Sequence, residues 1–466
     1  METSYKGNNR MLTGIVFGVL TYWLFSQSLI NVMPEVQLDM GISMGLLNTA
    51  ISLSGLFSGM FIVAAGGISD RIGRKRIANI GLLLNIIGSL CLVFAQEAVL
   101  LIIGRVVQGF SAACILPATI ALIKAYFAGP NRQRALSYWS FGSWGGIGVC
   151  SFAAGLIATY LGWRWIFIFS IIFTLVSMLL IKNVPESKAE QSNSSKFDFT
   201  GFVIFLLVMV ALNVVITHGD GFGWTSPISL TLMAVTIIGG WIFIKVVKGK
   251  SNGFIDLSLF ENKYFTGATV SNFLISAVAG ALIVANTYVQ MARGYSSFQS
   301  GLLSVGYLVA TLVTIRIGEK VLQRSGPRKP MVLACLLVIV GIMLMTLTIL
   351  PNSIYSIIVF IGFTMYGIGL GLYATPSTDT AVDNVPEAKA GEAAGIYKMS
   401  STLGNSFGLA ISVTVYSVIE QSVNMDLAAS MGLLTNVIFA LLALLAIVAA
   451  IPKKVVKKSI KERKAS

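Results

Sequence analysis

The sequence predicts an all-α integral membrane protein, and three observations predict it. Of 466 residues, 55% are hydrophobic and only 11% are charged, whereas a soluble domain carries roughly 25% charged residues. The mean hydropathy is +0.82. Apolar runs of about 18 to 25 residues, the length of a helix crossing a hydrocarbon core of roughly 30 Å, recur along the whole chain.

These runs fall near 11–33, 46–66, 77–95, 98–124, 135–160 and 163–181, then 200–217 and 226–247, then 264–288, 298–318, 330–350, 354–376, 391–420 and 430–451. The expected architecture is fourteen transmembrane helices arranged 6 + 2 + 6. Run 11–33 is too long for the core of a signal peptide and no small-residue cleavage site follows it, so it is expected to remain as the first helix.

An even number of spans puts both termini on one side, and the positive-inside rule chooses the side. With the N-terminus in the cytoplasm, 29 of the 33 Lys and Arg residues fall in cytoplasmic loops and the tail. Arg164 and Arg293 fall outside, and Arg105 and Lys398 lie within helices. The net charge of +14 is thereby assigned to anionic lipid of the plasma membrane rather than to nucleic acid. Cys91, Cys114, Cys150 and Cys335 all sit in apolar runs and read as free packing thiols.

Residues 182–200, rich in Ser, Lys and Glu, mark a seam. It separates a first six-helix half, 1–181, from a second half, 264–451, with linker and inserted helix pair at 182–263 and a basic tail at 452–466. The second half echoes the first weakly: Gly318 to Lys329 is a glycine-containing basic turn after its second helix, where Gly66 to Arg76 stands in the first.

That first turn, Gly66-Gly67-Ile68-Ser69-Asp70-Arg71-Ile72-Gly73-Arg74-Lys75-Arg76, packs four basic groups, one acid and three glycines between two apolar helices. Charge alone would make it a plain positive-inside stop. The glycines and Asp70 add spacing that orientation does not need, and an acid beside cations at a membrane rim can bridge neighbouring helix ends. Gly66, Asp70, Arg71, Gly73 and Arg74 are therefore gating candidates.

Gly66, Asp70, Arg71, Gly73, Arg74 and Lys75 match the loop pattern G-x-x-x-D-R-x-G-R-[KR] of the major facilitator superfamily, which the chain resembles. Arg105-Val106-Val107-Gln108-Gly109 matches its R-x-x-Q-G pattern. The helix count, Trp163 to Phe167, and Gly367 to Leu372 followed by Ala374-Thr375-Pro376, look like its fourteen-helix drug:proton antiporter branch. Leu136 to Ser140 and Ala374 to Thr380 are similar to quinolone efflux members of that branch. The resemblance implies a major facilitator fold and proton-driven, alternating-access efflux of amphipathic drugs such as quinolones, by a monomer without cofactor. A rival reading is a carrier of one metabolite, lipid or peptide without proton coupling. An enzyme would need a nucleophile–base or metal constellation, and the one histidine, His218, stands in a turn without clustered acids.

The sequence departs from the branch twice. Its first helix carries Ser26-Gln27-Ser28-Leu29-Ile30-Asn31 where the branch has D-x-T-I-V-N, so the usual proton-carrying acid is missing. The Gly-Pro kink of the fifth helix is reduced to Gly146, Cys150-Ser151 and Ala154-Gly155, with glycines 142, 145, 146 and 148 still permitting a bend.

Arg105, in the middle of an apolar helix, must find acceptors, since an unpaired charge there costs at least about 2.5–3.5 kcal/mol. Gln108 shares its face; Gln27, Asn31 or backbone carbonyls are the other expected partners. Proton coupling is expected at Asp379 or at Glu319 with Arg316, with Glu420 and Arg105 as further candidates. Lys398 either snorkels to the inner interface or faces a cavity and disfavours cations. Substrate-binding candidates are Gln27, Asn31, Gln108, Asn272, Asn286 and Tyr138. No metal site is expected.

Overall fold

The computed structural model describes residues 5–26, 28–189, 198–248 and 255–452, and no strand occurs among them. The helices are α1 (Asn9–Ser26), α2 (Met44–Ile72), α3 (Arg74–Val93), α4 (Ala98–Tyr126) and α5, whose segments Gly129–Ser140 and Gly146–Leu161 flank a π turn at Phe141–Gly145. Then come α6 (Arg164–Ile181), α7 (Phe199–Phe222), α8 (Pro227–Lys248) and α9, in two segments, Lys263–Ala277 and Gly280–Met291. The chain closes with α10 (Ser297–Ser325), α11 (Arg328–Met345), α12 (Asn352–Asp383), α13 (Ala390–Ser422) and α14 (Met425–Ala450). Short helices Ser28–Asn31 and Met33–Met40 follow α1.

Twelve of these helices are long and apolar enough to cross a membrane among the described residues. The sequence reading expected fourteen, and α1 and α5 make the difference. The described part of α1 opens on Asn9 and Arg10, and the π turn divides α5 into two segments.

Helix ends are set by local chemistry. Ser43 accepts from the Leu46 amide to start α2, Asn262 accepts from the Tyr264 and Phe265 amides to start α9, and Ser296 with Gln299 forms a capping box on α10. The expected eleven-residue polar turn after the second span is far tighter than its composition suggests. Helix α2 continues to Ile72 and α3 begins at Arg74, which leaves Gly73 alone in the turn at φ 136°. A Cβ there would meet the Glu186 carboxylate at 2.6 Å, so both backbone and space call for glycine.

The first six helices and the last six repeat one packing scheme. Helix α1 lies on α6, α2 on α4, and α3 on α4 and α6, while α9 lies on α14, α10 on α12, and α11 on α12 and α14. The two bundles meet chiefly where α2 packs on α13. Helix α7 touches both α2 and α13, and α8 touches α7 and turns Ile237, Trp241 and Ile244 outward.

The core has three clusters, and their placement is asymmetric. One cluster joins the halves at the end bearing Gly73, combining Met60, Ile123 and Trp139 with Val382, Ala393 and Ile396. A second cluster runs the length of the last six helices, from Met331 and Ile447 to Tyr288 and Ala428, and a third, with Leu47, Leu101 and Trp163, lies in the first six away from Gly73. Glycine permits the closest approaches: a Cβ on Gly404 would lie 2.0 Å from the Phe273 carbonyl, and one on Gly408 1.8 Å from that of Ala277.

Because backbone rather than a flexible side chain occupies that space, Gly408→Val should force α9 and α13 apart. It is expected to cost about 1–3 kcal/mol, read as a lower thermal midpoint of the purified protein in detergent. An unchanged midpoint would contradict the contact.

Candidate functional site

Asp70 occupies the last turn of α2 and is buried, with Arg74 one helical turn on. The Arg74 Nε donates to Asp70 Oδ1 at 2.9 Å, and the other carboxylate oxygen accepts from the backbone amides of Gly391 at 2.7 Å and Glu392 at 3.1 Å. Both amides belong to the first turn of α13, where helix N–H groups lack internal partners and the helix dipole favours an anion. Arg74 Nη2 donates to the Glu387 carbonyl at 2.5 Å, and Nη1 to Ser187 Oγ at 3.1 Å.

Gly66 makes this contact possible. A Cβ on Gly66 would sit 2.2 Å from the Gly391 carbonyl, and one on Gly391 2.4 Å from the Gly66 carbonyl. The helices touch backbone to backbone, which brings the Asp70 carboxylate within reach of the α13 amides. Four of the five gating candidates thus have a place in one clamp; Arg71 is exposed at its edge.

The clamp is strapped by the start of the linker. Glu186 accepts from the amides of Lys75 at 2.9 Å and Arg76 at 3.0 Å, capping α3, while the Ala189 amide donates to the Asp70 carbonyl at 2.8 Å. On the other side of the clamp Glu392 accepts from the Asp256 amide at 2.6 Å, and Lys389 pairs with the Asp256 carboxylate. Burial opposes ionisation of Asp256, but the bonds from Lys389 and Ser258 prevail and hold its carboxyl below the usual range.

A second inter-half seam lies at the same end. Arg132 of α5 pairs with Asp379 at 3.1 Å and Asp383 at 2.7 Å on α12, and Gln133 donates to Asp379 at 3.1 Å. Lys124 of α4 donates to the carbonyls of Val382 and Val385 at 2.5 Å each. Asp379 was expected as an acid near the membrane rim, and it stands inside α12 as half of a bond between the bundles. Arg132, Gln133, Lys124, Glu392 and Asp256 were not singled out from sequence. Their types are common in polar loops, and only the tertiary meeting of loop and helix end marks them.

Glu319 and Arg316 pair within α10, and Gln323 Nε2 donates to Glu319 at 3.2 Å. The Arg316 guanidinium lies 4.8 Å from the Tyr138 ring centre, and that of Arg134 lies 5.8 Å from it. Tyr138 is therefore held between two cations, one from each half. Glu420 lies partly exposed near the opposite end of α13, beside Tyr416 and in the half that does not contain Arg105.

Arg105 is fully buried. Its guanidinium donates to Ser54 Oγ at 2.6 Å, Gln108 Oε1 at 3.1 Å, and the Ala50 and Ile51 carbonyls at 3.3 and 3.4 Å. It fastens α4 to α2, so the backbone-carbonyl expectation is met on α2. Gln27 and the Asn31 side chain lie outside the described residues, as do the side chains of Cys150 and His218. Gln108 also donates to Ser89 at 3.4 Å, and Asn272 donates to the Tyr397 carbonyl at 2.9 Å and Ser400 at 3.1 Å, binding α9 to α13. Asn286 accepts from Ser300 at 2.6 Å and Ser304 at 3.2 Å on α10.

Lys398 does not snorkel to the interface. Its Nζ points across to the other half, donating to Ser143 Oγ at 3.2 Å, with the Trp139 ring centre 5.1 Å away.

At the opposite end the polar contacts among the described residues stay within each half. Arg164 and Trp163 donate to Asp39, and the Arg164 bond is the main reason that the Asp39 carboxyl is held below the usual range, against the opposing effect of burial. In the second half Tyr288 and Arg293 gather around Asp426. Among the described residues the geometry is that of two bundles closed on each other at one end.

The chain matches the family model "Major Facilitator Superfamily" over residues 15–409 and 268–465. It is 50% identical over 451 residues, covering 97% of each chain, to "Quinolone resistance protein NorB" of Staphylococcus aureus strain MRSA252. Its structure resembles the human organic anion transporter MFSD10, with a TM-score of 0.67 at 14% identity over 94% of this chain and 99% of that one. It also resembles the proton:xylose symporter XylE, with a TM-score of 0.67 at 16% identity over 95% of each.

Asp70→Asn removes the charge that Arg74 and the α13 amides share. Uncompensating a buried partner costs about 3–5 kcal/mol, so the closed end should open. Spin labels on Arg76 and Ala388, both exposed, are expected to show a new, longer distance in the variant by pulsed electron resonance. A distribution identical to that of the parent would remove the clamp.

Proposed function

The chain belongs to the Major Facilitator Superfamily, and on that premise we propose that it exports amphipathic drugs, quinolones among them, in exchange for protons. It is a multi-pass membrane transporter and not an enzyme. The observation that carries the reading is the one-ended closure: two bundles locked by Asp70, Arg74 and the first turn of α13, with a joint core beside the lock and another cluster belonging to each half. Half the positions are identical to a quinolone resistance protein over nearly the whole length, which supports the cargo class.

The full machine has fourteen spans in a 6 + 2 + 6 order, with α1 and α5 counted beside the other twelve, and it works as a monomer. The positive-inside count puts both termini and the Gly73 end in the cytoplasm. The described state then faces outward. Cargo enters from the cytoplasm or inner leaflet when the clamp is open, and leaves on the other side after it closes.

With the helix 1 acid absent, the proton is carried where the halves meet. Asp379 is the first choice, because protonating it removes the acceptor charge for Arg132 and weakens the second seam. Glu319 with Arg316 is the next, since Arg316 also holds Tyr138 across the halves. Glu420 stands apart from both seams, and Arg105 organises α2 and α4 around the path. Gln108, Asn272, Asn286 and Tyr138 are offered as path-lining groups, together with Gln27 and Asn31.

Everted vesicles with an acidic interior should accumulate norfloxacin, and nigericin should abolish the accumulation. Asp379→Asn is expected to cut gradient-driven uptake at least about tenfold while leaving gradient-free exchange, because it removes a coupling proton and not the path. Gradient-insensitive flux in the parent protein would favour the uniporter alternative, and unchanged coupling in the variant would eliminate Asp379.

A further inference from the structure

The lock at the Gly73 end leaves one buried cation unused. Lys398 projects from α13 toward α5, about 12 Å along the helix from Ala390 at 1.5 Å per residue, and is 6% exposed. Its Nζ touches Ser143 Oγ and lies over the Trp139 ring, both from the opposite half. Among the described residues no carboxylate stands within ion-pair distance of it.

An ammonium withdrawn from water with one hydroxyl and one aromatic face is under-compensated, and a second group of opposite charge would relieve it. The facing stretch of α5 supplies further hydrogen-bonding atoms. Ser140 Oγ and the Trp144 indole N–H are buried and lack a partner among the described residues. Ser143 and Trp144 belong to the π turn at Phe141–Gly145, the only one among the described residues, and such turns frequently mark functional sites. Ammonium, hydroxyl and indole N–H all donate, so the group that fits among them accepts, and beside an ammonium it is an anion.

We propose that Lys398, assisted by Ser143, is the point in the transport path that receives the carboxylate of an amphipathic aromatic acid. The assignment rests on the efflux reading above and refines it, because a quinolone carries a ring carboxylate. Since α5 and α13 belong to opposite bundles, rearrangement of the halves during transport uncovers Lys398 and lets the carboxylate in between them. The flanking rings of Trp139 and Trp144 then take the aromatic part.

The test is equilibrium binding of tritiated norfloxacin, norfloxacin methyl ester and 1-naphthoate to the purified full-length protein, its Lys398→Met variant and its Lys398→Arg variant. Met is expected to weaken the acid at least about tenfold, the scale of a lost charged hydrogen bond, and to leave the Kd of the ester within about twofold. Arg, which keeps the charge, should retain most of the affinity. If Met does not fold, Lys398→Gln carries the same comparison. Equal affinity of parent and variant for the acid overturns the assignment, and so does equal loss of acid and ester, which would mark a structural role. Should the parent protein bind naphthoate through Lys398 but not norfloxacin, the quinolone reading falls and the anion site stands. Binding of neither acid ends the anion site, while ester binding by the parent would keep the drug-efflux reading alive.

Discussion

One interaction orders the rest: a carboxylate from one bundle caps the first turn of a helix in the other. Asp70 can do this only because Gly66 and Gly391 let two backbones touch, since a single Cβ on either would stand well inside van der Waals distance of a carbonyl. Free amides at a helix N-terminus and the helix dipole both favour a negative charge. Arg74 balances the remaining charge and reaches the Glu387 carbonyl, which ties the turn before α13 to the same point. Remove the close approach and the electrostatics lose their geometry.

Much of the fold was legible because a membrane leaves few choices. Backbone polar groups without water must be satisfied within the helix, so apolar run length translates almost directly into α2, α3, α4 and α9 to α14. The clamp contact was legible as a special place through Gly66, Asp70, Gly73 and Arg74, whose spacing exceeds what orientation requires. What escaped the sequence was the receiving side. Gly391 and Glu392 contribute amide groups, which every non-proline residue possesses, so no side-chain pattern announces them. Arg132 and Asp379 lie far apart in sequence, and their pairing exists only after the bundles meet. Lys398 was ambiguous because helical position alone does not say which neighbour a long side chain faces.

The two seams at the closed end differ in chemistry. The α2–α13 seam is backbone-rich, tight and glycine-dependent, whereas the α5–α12 seam is built from side-chain charges, Arg132 with Asp379 and Asp383. Each seam holds a carboxylate and so responds to protonation, but only the α2–α13 crossing also depends on glycine-to-glycine contact. Helix α7 rests on both α2 and α13.

The partners of the Asp70 carboxylate on α13 are main-chain amides. Such a receptor keeps its N–H groups whatever non-proline side chain stands at 392, although the Glu392 carboxylate separately holds the Asp256 amide, and position 391 is constrained by the size of its contact with Gly66. The side-chain chemistry of the lock lies on the accepting side, in the Asp70 carboxylate and the Arg74 guanidinium paired with it. The start of α13 is thus limited by slenderness where α2 crosses it and by its hold on Asp256, rather than by any side chain bonding Asp70.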